Sequence, residues 1–436
     1  MVDPSPIWGL IEFAFLVLCC LFSIPIAFSL GATGLIFGVL FYGVLGGINL
    51  AGLTFWGQSY KYALSLIPLF VFMGEIISSC DLGREAFDAV KMWVGRIKGG
   101  LAIASTISCA LFGAITGSTA GTIAAIGGVC LPEMKRNGYN VRLRTGTIAM
   151  SGTLAALIPP SIMMVFFAVL TDVSIGKLFI GGIIPGVILT ILYSLTVYFW
   201  VCLNPRIAPV ITEKFTFKQK ALSLRLLLPI GIIFACMVGG LYTGFFSATE
   251  AAGMGAVISI VTVIVLKRLT WKRLSHATQG TMKITAFIML LIMGAILFSN
   301  TIAITRFPYA LAEIVVNLQA PPTVIVFIVI GITIVLGCVL DVFGLMVLTV
   351  PMFFPCLIKL GIDPVWYGVV TTVLVELALV TPPIAAHLYI TQSIDSEATS
   401  MDVAIGVVPF YIVEILMIVL MVFFPEIVLW LPAKMM

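Results

Sequence analysis

Apolar residues occupy most of this chain in long segments, which are separated by short polar or turn-forming stretches. An apolar run of about 20 residues forms a helix that crosses the roughly 30 Å hydrocarbon core of a bilayer. The predicted apolar segments are 6–29, 31–48, 62–79, 99–131, 141–172, 176–203, 225–245, 248–266, 281–303, 322–358, 364–392 and 403–426. The pattern therefore predicts an all-α, polytopic membrane protein.

Two of these segments, 99–131 and 322–358, are too long for one helix and too interrupted for two full spans. Each half has about 15 residues, and a helix of that length rises only about 22 Å. A helical hairpin that enters the membrane and leaves by the same side fits this length. The irregular backbone at its tip is tolerated only where protein or water satisfies its polar groups. We therefore expect two re-entrant hairpins with buried tips.

The two halves of the chain repeat the same irregular features at a constant offset. Four landmarks recur in the second half, and the pairs are Ser118 and Asp341, Pro132 and Pro355, Gly138 and Gly361, and Pro159 and Pro382. The sequence numbers differ by the same amount in all of these pairs. Duplicated apolar halves that are interrupted at matching points are typical of secondary transporters, whose site lies between the halves.

This offset predicts how the chain is organised. The expected units are a first repeat over 1–203, a linker over 204–224 and a second repeat over 225–436. Each repeat is expected to contain a hairpin, then a helix broken at a proline pair, then a closing helix. The predicted ranges are 99–131, 141–172 and 176–203 in the first repeat and 322–358, 364–392 and 403–426 in the second.

Composition supports a membrane protein, because 61% of the residues are hydrophobic and only 10% are charged. The first apolar run lacks a basic start and a cleavage signature, so we interpret it as a permanent span and not as a signal peptide. The nine cysteines lie mostly in apolar runs without zinc-ligand spacing, which favours a packing role. With two histidines and no Gly-x-x-x-x-Gly-Lys-Ser/Thr loop, the chain is expected to be neither an enzyme nor an ATPase.

The basic residues predict the orientation in the membrane. If both long segments are hairpins and the N-terminus lies outside, 18 of the 23 lysines and arginines face the cytoplasm and five face outside. An excess of lysine and arginine is typical of cytoplasmic loops, so we expect both termini outside and the two repeats inverted.

Residues 82–98 show the amphipathic pattern of an interfacial helix. The sequence Ser247-Ala-Thr-Glu250 predicts a capping box, which makes a structural role for Glu250 the expected one.

The predicted first tip consists of small and hydroxyl residues, Gly117, Ser118, Thr119 and Thr122 among them. Hydroxyl oxygens and the unpaired carbonyls of a helix end suit a hard cation such as Na⁺, and the unpaired N–H groups that begin the next helix suit a carboxylate. Close helix packing is the alternative explanation for such a run of small residues.

At the second tip, the position that matches Ser118 is Asp341, in an otherwise apolar run. A carboxylate at membrane depth costs about 2.5–3.5 kcal/mol on insertion scales and usually has a cationic partner. No lysine or arginine occurs between Arg306 and Lys359. A bound cation would supply the missing charge; a protonated Asp341 that is hydrogen-bonded within the bundle is the alternative.

Proline pairs mark the third shared feature, in Ile158-Pro159-Pro160-Ser161 and in Thr381-Pro382-Pro383. Consecutive prolines remove two N–H donors and restrict the preceding residue, so the helix unwinds there and frees carbonyls as ligands. A proline kink without any ligand role is the alternative. Nearby, Glu376 is either a proton-binding or substrate-binding group or a buried, hydrogen-bonded side chain, and the same two explanations apply to His387.

Taken in order, these motifs resemble the large membrane subunit of tripartite ATP-independent periplasmic (TRAP) transporters. The matching segments, which extend over essentially the whole chain, are Gly117-Ser118-Thr119-Ala120-Gly121-Thr122, Leu131-Pro132-Glu133-Met134, Gly138-Tyr139, Ile158-Pro159-Pro160-Ser161, Thr249-Glu250-Ala251-Ala252, Gly361-Ile362-Asp363-Pro364 and Thr381-Pro382-Pro383. The resemblance implies a Na⁺-driven importer of an organic acid, such as a C4-dicarboxylate or sialic acid, in the bacterial inner membrane. It also implies two partners, a small four-helix membrane subunit and a periplasmic substrate-binding protein.

The resemblance further implies a scaffold, over 6–98 and 225–320, and a mobile transport domain that holds both hairpins and moves in an elevator-like way. It implies one sodium site near Ser118 at the first tip, next to the first break. It implies another sodium site near Asp341 and Thr381. The candidate Na⁺-binding residues are Gly117, Ser118, Thr119, Ile158, Pro159, Gly337, Asp341, Gly344, Thr381 and Pro382. The candidate substrate-binding residues are Thr122, Pro160, Ser161, Pro383 and Glu376. The more apolar surroundings of Asp341 leave the ligands of the second sodium site open.

Two other functions stay open at this point. One is a stand-alone Na⁺/dicarboxylate symporter of similar architecture, and the other is a non-transporting assembly or sensor component. No extra spans precede residue 6, so the small subunit is expected to be a separate chain. The residues at the hairpin tips do not identify the substrate, because they do not distinguish a dicarboxylate from a sugar acid.

Overall fold

The computed structural model describes residues 3–22, 24–210, 213, 215–310, 313, 320–338, 340–382 and 385–435, and the regular structure in these residues is helical. The α-helices are α1 (Pro6–Leu21), α2 (Ile26–Ser59), α3 (Leu66–Ser78), α4 (Leu82–Val94), α5 (Gly100–Thr116), α6 (Thr119–Arg136), α7 (Val141–Ser151), α8 (Leu154–Leu157), α9 (Ile162–Thr171), α10 (Ile175–Leu203), α11 (Phe217–Tyr242), α12 (Ala248–Val265), α13 (Trp271–Ile304), α14 (Pro322–Gly337), α15 (Val342–Lys359), α16 (Pro364–Ala378), α17 (Ala386–Ile394), α18 (Ser400–Phe423) and α19 (Glu426–Leu429). Within the described residues, seven helices are long and apolar enough to cross a membrane, or up to nine if each sharply bent pair is one span. The predicted all-α, multi-pass fold is confirmed.

Both long segments fold as helical hairpins. In the first hairpin, α5 (17 residues) and α6 (18 residues) pack against each other and are joined at Gly117 and Ser118. In the second hairpin, α14 (16 residues) packs against α15 (18 residues), which begins after Asp341. The helix α15 is one of the seven helices that would be long enough to span a membrane, but it pairs with α14 as α6 pairs with α5.

The two proline pairs interrupt helices as the sequence predicts. In the first repeat, α7 and α8 lead to an unwound segment at 158–161, and α9 then continues at an angle of 45° to them. The Pro159–Pro160 peptide bond in this segment is cis. In the second repeat, α16 ends at Ala378 and α17 begins at Ala386. Of the candidate site residues, Pro383 lies outside the described residues.

The duplication extends to the residues that cap the helices. Ser118 precedes α6, and its hydroxyl accepts a hydrogen bond from the N–H three residues later at 3.2 Å. Asp341 precedes α15, and its carboxylate accepts from the N–H three residues later at 3.1 Å. Asn140 and Asp363, a further pair at the same offset, cap α7 and α16. In both repeats, the equivalent helices therefore begin with a side-chain cap at the same position.

The helices near the N-terminus have other boundaries than the hydropathy pattern predicts. The first two segments divide at Pro25, which precedes α2, and α2 continues to Ser59 through a kink at Gly43 (φ 73°, ψ 171°). Proline cannot donate the backbone hydrogen bond that a continuous helix would need there, and glycine adopts a positive φ at little cost.

Two further helices begin earlier than predicted. The first turns of α11 lie inside the expected linker, where Thr216 and Gln219 form a capping box. The helix α13 begins at Trp271, with Thr270 as its cap. These first turns are polar, so a hydropathy pattern does not extend to them, whereas their caps are visible in the sequence.

The predicted capping box is confirmed, and the predicted amphipathic helix is present, whereas its position at the membrane interface stays a prediction. The expected capping box of Ser247 and Glu250 is present at the start of α12. The amphipathic segment forms α4, whose buried apolar face includes Leu82, Phe87 and Val90. The helix packs against α5 and α11, so α4 covers the base of the first hairpin.

The hairpins and broken helices pack together as a central group of helices, which consists of α5–α10 and α14–α18. A peripheral group is formed by α1–α3 and α11–α13, in which α2 packs along α13 and α3 along α12. Within the central group, α7 of the first repeat crosses α18 of the second at very short range. A Cβ atom added at Gly146 would lie 2.2 Å from the backbone of Gly406, so these glycines permit the crossing.

Candidate functional site

The tips of the two hairpins meet at one cavity of about 380 Å³ inside the helix bundle. Five candidate residues line it, namely Gly117, Ser118, Thr119, Asp341 and Glu376. His387 also lines the cavity, and Ile284, Phe287 and Ile288 of α13 form its peripheral wall. The structure therefore brings the two sequence-equivalent tips, one from each repeat, to one place.

At the first tip, Gly117 adopts a left-handed conformation (φ 58°) that ends α5. A Cβ atom on Gly117 would lie 2.4 Å from the carbonyl oxygen of Pro160, so the tip lies directly against the first break. Ser118 then caps α6, and the N-terminus of α6 is directed toward the cavity that Ser118 and Thr119 line. This arrangement places hydroxyl oxygens, an exposed helix start and the unwound segment within one small region.

Some candidates of the first repeat lie behind the tip. Thr122 is fully buried, and its hydroxyl lies 2.9 Å from that of Thr116 inside the hairpin. Ser161 is buried and caps α9 through a hydrogen bond from Met164 N–H at 3.2 Å. Neither Ser161 nor the preceding residues 158–160 line the cavity.

At the second tip, Asp341 forms no ion pair with any described residue. Its carboxylate is held as the cap of α15, and a Cβ atom on Gly344 would lie 2.7 Å from Asp341 Oδ1. Gly337 and Gly344 flank the tip without lining the cavity. A Cβ atom on Gly337 would lie 2.6 Å from the Cβ of Ala378, so small residues let the tip approach the end of α16.

Thr381 and Pro382 of the second break also lie outside the cavity lining. The hydroxyl of Thr381 donates to the carbonyl of Leu377 at 2.7 Å and lies 3.5 Å from the hydroxyl of Tyr411. The second break is therefore hydrogen-bonded back onto α16 at this residue.

Glu376 and His387 link the second break to the cavity. Glu376 is only 1% exposed, and neither of its carboxylate oxygens has a hydrogen-bond partner among the described residues. The alternative of a hydrogen-bonded buried glutamate therefore has no support in the described part of the chain. The Nε2 atom of His387 lies 3.1 Å from the hydroxyl of Thr119, which connects α17 of the second repeat to the first tip.

An aromatic cluster at the cavity, in which Phe343 and Phe287 line the cavity and Phe166 lies behind them, was not predicted from the sequence. Phe343, two residues after Asp341, packs edge-on against Phe166 of α9 at 5.2 Å between ring centroids. It also contacts Phe287 of α13 at 6.0 Å. In a chain with 30 phenylalanines, most of them in apolar spans, no local pattern distinguishes these three.

An ion-pair cluster with a buried Arg144–Asp395 pair and an exposed rim joins the two repeats away from the cavity. Arg144 of α7 pairs with Asp395 at the end of α17 at 2.5 Å and with Glu397 at 3.1 Å. Lys135 at the base of the first hairpin pairs with Glu397 at 2.8 Å. The hydrogen bond from Lys135, together with that from Arg144, holds the pKa of Glu397 below its usual value. The cluster fixes the base of the first hairpin to the second repeat.

The fold and the cavity define a multi-pass membrane permease with a duplicated core. The chain belongs to the family described as tripartite ATP-independent periplasmic transporter, DctM component, whose profile matches residues 13–427. It is a transport permease, and not an enzyme.

Named relatives are similar along most of the chain. It is 31% identical over 380 residues to the C4-dicarboxylate TRAP transporter large permease protein DctM of Pseudomonas aeruginosa, which covers 86% of this chain and 87% of that protein. It is 31% identical over 373 residues to the ectoine/5-hydroxyectoine TRAP transporter large permease protein UehC of Ruegeria pomeroyi, covering 85% and 86%. It is 28% identical over 416 residues to the 2,3-diketo-L-gulonate TRAP transporter large permease protein YiaN of Escherichia coli, covering 94% and 96%.

A solved structure has the same fold. The YdaH transporter of Alcanivorax borkumensis superimposes with a TM-score of 0.62 over 95% of this chain and 98% of that chain, at 14% sequence identity. At this identity the similarity concerns the fold alone, and it supports the assignment of an all-α transporter fold.

Proposed function

We propose that this chain is the large membrane subunit of a Na⁺-coupled importer of an organic acid anion, which a periplasmic binding protein delivers. The observation that carries the proposal is the meeting of the two tips at one cavity, where Asp341 has no ion pair among the described residues. A carboxylate at membrane depth usually has a cationic partner, and no described side chain is that partner for Asp341. A sodium ion supplies that charge and couples transport to the sodium gradient.

The first sodium site would use the oxygens around Gly117, Ser118 and Thr119 with the main chain of Ile158 and Pro159. The support for this set is the contact between Gly117 and the first break, where the carbonyl oxygen of Pro160 lies 2.4 Å from a Cβ position. Neutral hydroxyl and carbonyl oxygens are suitable ligands for a hard monovalent cation.

The second sodium site would form around Asp341, with main-chain oxygens of Gly337 and Gly344 and with Thr381 and Pro382. The carboxylate of Asp341 would give this site a negative charge, whereas the proposed ligands of the first site are neutral oxygens. Close packing of Gly337 against Ala378 supports the proximity of the second tip to the end of α16, from which Thr381 follows.

The substrate would bind in the cavity between the tips. The starts of α6 and α15 carry N–H groups and partial positive charge, which favour a carboxylate. The substrates for which the relatives are named, a C4-dicarboxylate, ectoine and 2,3-diketo-L-gulonate, all carry a carboxylate. Glu376, which lines the cavity, is the candidate substrate-binding residue of the second repeat within the described residues.

The transport cycle would move the central helices relative to the peripheral helices, which serve as the scaffold. This elevator-like movement would expose the cavity first to the periplasm and then to the cytoplasm, with both termini of the chain on the periplasmic side of the inner membrane. A small four-helix membrane subunit would extend the scaffold, and the binding protein would dock on the periplasmic face.

The decisive experiment measures uptake by proteoliposomes that contain this chain and the small subunit, with labelled C4-dicarboxylate, ectoine or diketogulonate and the matching binding protein. We expect uptake only when sodium is higher outside and when the binding protein is present. Uptake that persists without a sodium gradient would contradict the sodium coupling. Uptake by this chain alone would instead favour a stand-alone Na⁺/dicarboxylate symporter.

A further inference from the structure

A second, smaller cavity adjoins the first tip. Its volume is about 20 Å³, which is enough for one water molecule or one small ion but not for an organic substrate. Ser118 lines this cavity as well as the main one, and Thr116 and Gly121 of the first hairpin line it too. The facing wall belongs to α3 of the peripheral group, which contributes Glu75 and Ser78. The cavity is therefore a polar gap between the first tip and the peripheral helices.

Glycines bring the peripheral helices against the tip and against the carboxylate. A Cβ atom on Gly74 would lie 2.9 Å from the carbonyl oxygen of Thr116. This carbonyl is at the end of α5, where the last carbonyls lack a partner within the helix. A Cβ atom on Gly280 of α13 would lie 2.6 Å from Oε2 of Glu75. The Glu75 carboxylate is therefore placed between α3, α13 and the first tip.

The charge and the size of the gap suit a monovalent cation. Glu75 is partly buried and has no ion-pair partner in the described part of the chain. The other oxygens around the gap are neutral hydroxyls and a carbonyl, which are suitable ligands for a hard cation. A divalent ion such as Mg²⁺ usually keeps several of its water molecules, and the gap has no room for them. One negative charge among neutral oxygens matches one positive charge.

The repeat gives each tip one carboxylate, but from different groups of helices. The constant offset between the repeats pairs Glu75 of α3 with Phe298 of α13, a buried phenylalanine. In the second repeat the acid belongs to the tip, as Asp341, and the equivalent peripheral position is apolar. In the first repeat the tip has neutral Ser118, and the acid belongs to the peripheral helix. The charge at the first tip is therefore supplied by a helix outside the central group.

The gap lies about one helical turn from the end of the bundle at which α3 ends and α13 begins. These two helix ends are joined by the ion pair of Asp81 and Arg273 at 3.3 Å. His276, on the turn of α13 before Gly280, is exposed. Glu75 therefore lies between this exposed end and the first tip, on the side that the basic residues predict to be cytoplasmic.

We propose that Glu75 and Ser78, together with Ser118 and the carbonyl of Thr116, form a binding site for one monovalent cation. One half of the site is on α3 and the other half belongs to the tip, so the site is complete only when the tip lies against α3. In an elevator-like cycle, a sodium ion passes from the first tip to Glu75 and leaves when the tip moves away. This consequence for transport rests on the proposed function, whereas cation binding in the gap does not.

Binding of radioactive sodium to the purified membrane complex tests the site without transport. We expect Glu75→Gln to bind one sodium ion fewer per complex than the wild type, and Glu75→Asp to keep the number with a weaker affinity. Glu12→Gln is the matched control, because Glu12 is a buried glutamate of the peripheral helix α1 that lines neither cavity. Equal sodium binding by Glu75→Gln and by the wild type, at equal melting temperatures, would overturn the proposal and leave water as the occupant of the gap.

A second variant decides the matter if Glu75→Gln does not assemble. Ser78→Ala removes a hydroxyl from the facing wall and keeps the carboxylate, so we expect one of the bound sodium ions to bind more weakly. A sodium-binding curve of Ser78→Ala that coincides with that of the wild type would contradict the site.

Transport measurements separate this inference from the proposed function. In proteoliposomes, we expect Glu75→Gln to keep sodium-dependent uptake at a lower maximal rate, because the sites at the tips are intact and the release of sodium is slower. Sodium-dependent uptake by the wild type, with equal sodium binding in Glu75→Gln, would overturn the inference and leave the function in place. Loss of one bound sodium ion in Glu75→Gln, without any sodium dependence of uptake in the wild type, would support the site and contradict the function.

Discussion

Ser118 and Asp341 occupy equivalent positions, and at both the side chain caps the helix that follows. The hydroxyl of Ser118 and the carboxylate of Asp341 accept from the N–H groups of Gly121 and Gly344 at 3.2 and 3.1 Å. The duplicated tips thus keep the geometry of the cap and differ in its charge. Asp341 caps α15 whether or not it binds a cation. An informative variant must therefore remove the charge of Asp341 and keep its cap.

Asp341→Asn separates the charge from the cap. Asparagine caps helices about as well as aspartate, so we expect the melting temperature to change little while sodium-dependent uptake is lost. Asp341→Ala should lose the uptake and also about 1 kcal/mol of stability. Asp363→Asn is the control, because Asp363 caps α16 outside the cavity lining. Equal sodium dependence in Asp341→Asn and in the wild type would remove Asp341 from the sodium site.

Gly117 is the residue that lets the first tip approach the first break. Gly117→Ala would force a Cβ into a left-handed conformation, at a cost of about 1–2 kcal/mol, and against the Pro160 carbonyl oxygen. We expect a lower melting temperature and a weaker sodium affinity in isothermal titration. Gly128→Ala, on the exposed side of α6 where nothing lies within 4 Å of the added Cβ, should change neither by more than a small amount. If both variants bind sodium as the wild type does, the tip–break contact has no part in ion binding.

At the scale of elements, the sequence predicts the hairpins, the breaks and their register because each depends on local chemistry. Gly117, the proline pairs and the constant offset between the repeats are visible in one dimension and specify turns and interruptions directly. The partners of these elements are not visible in this way. The contact of His387 with Thr119 and the pairing of Glu414 with Tyr193 each join a residue of one repeat to a residue of the other. Such contacts depend on how the helices pack, and hydropathy is nearly uniform along these helices.

The Arg144 ion-pair cluster tests how strongly the elements of the two repeats are joined. Arg144 and Arg142 lie two residues apart on α7, with side chains 6% and 50% exposed, and pair with Asp395 and Asp402. Arg144→Gln leaves the buried Asp395 without its strongest partner, so we expect a loss of about 3–5 kcal/mol in stability. Arg142→Gln should cost at most about 1 kcal/mol because its pair is exposed. Thermal unfolding of both variants in detergent measures the difference, and equal melting temperatures would show that the cluster does not hold the repeats together.

At the scale of the whole molecule, the central and peripheral helices meet at the cavity through few side chains. The wall of α13 contributes Ile284, Phe287 and Ile288, and Phe287 contacts Phe343 next to the second tip. Phe343 also contacts Phe166, which belongs to the central group. One aromatic side chain therefore has a neighbour inside its own group and a neighbour across the boundary, at similar distances. This pair of contacts distinguishes movement between the groups from movement within the central group.

An elevator-like movement requires the contact between Phe287 and Phe343 to break in each cycle. The contact between Phe166 and Phe343 would stay intact in such a movement. In a background without the nine native cysteines, we therefore expect a short thiol cross-link between Phe287→Cys and Phe343→Cys to stop sodium-driven uptake. Removing the cross-link should restore it. The same cross-link between Phe166→Cys and Phe343→Cys should leave most of the uptake, because both residues belong to the central group, which moves as one body in the proposed elevator-like cycle. If the second cross-link stops uptake and the first does not, the tips open within the central group, and the moving part of this transporter is smaller than the hairpins and broken helices together.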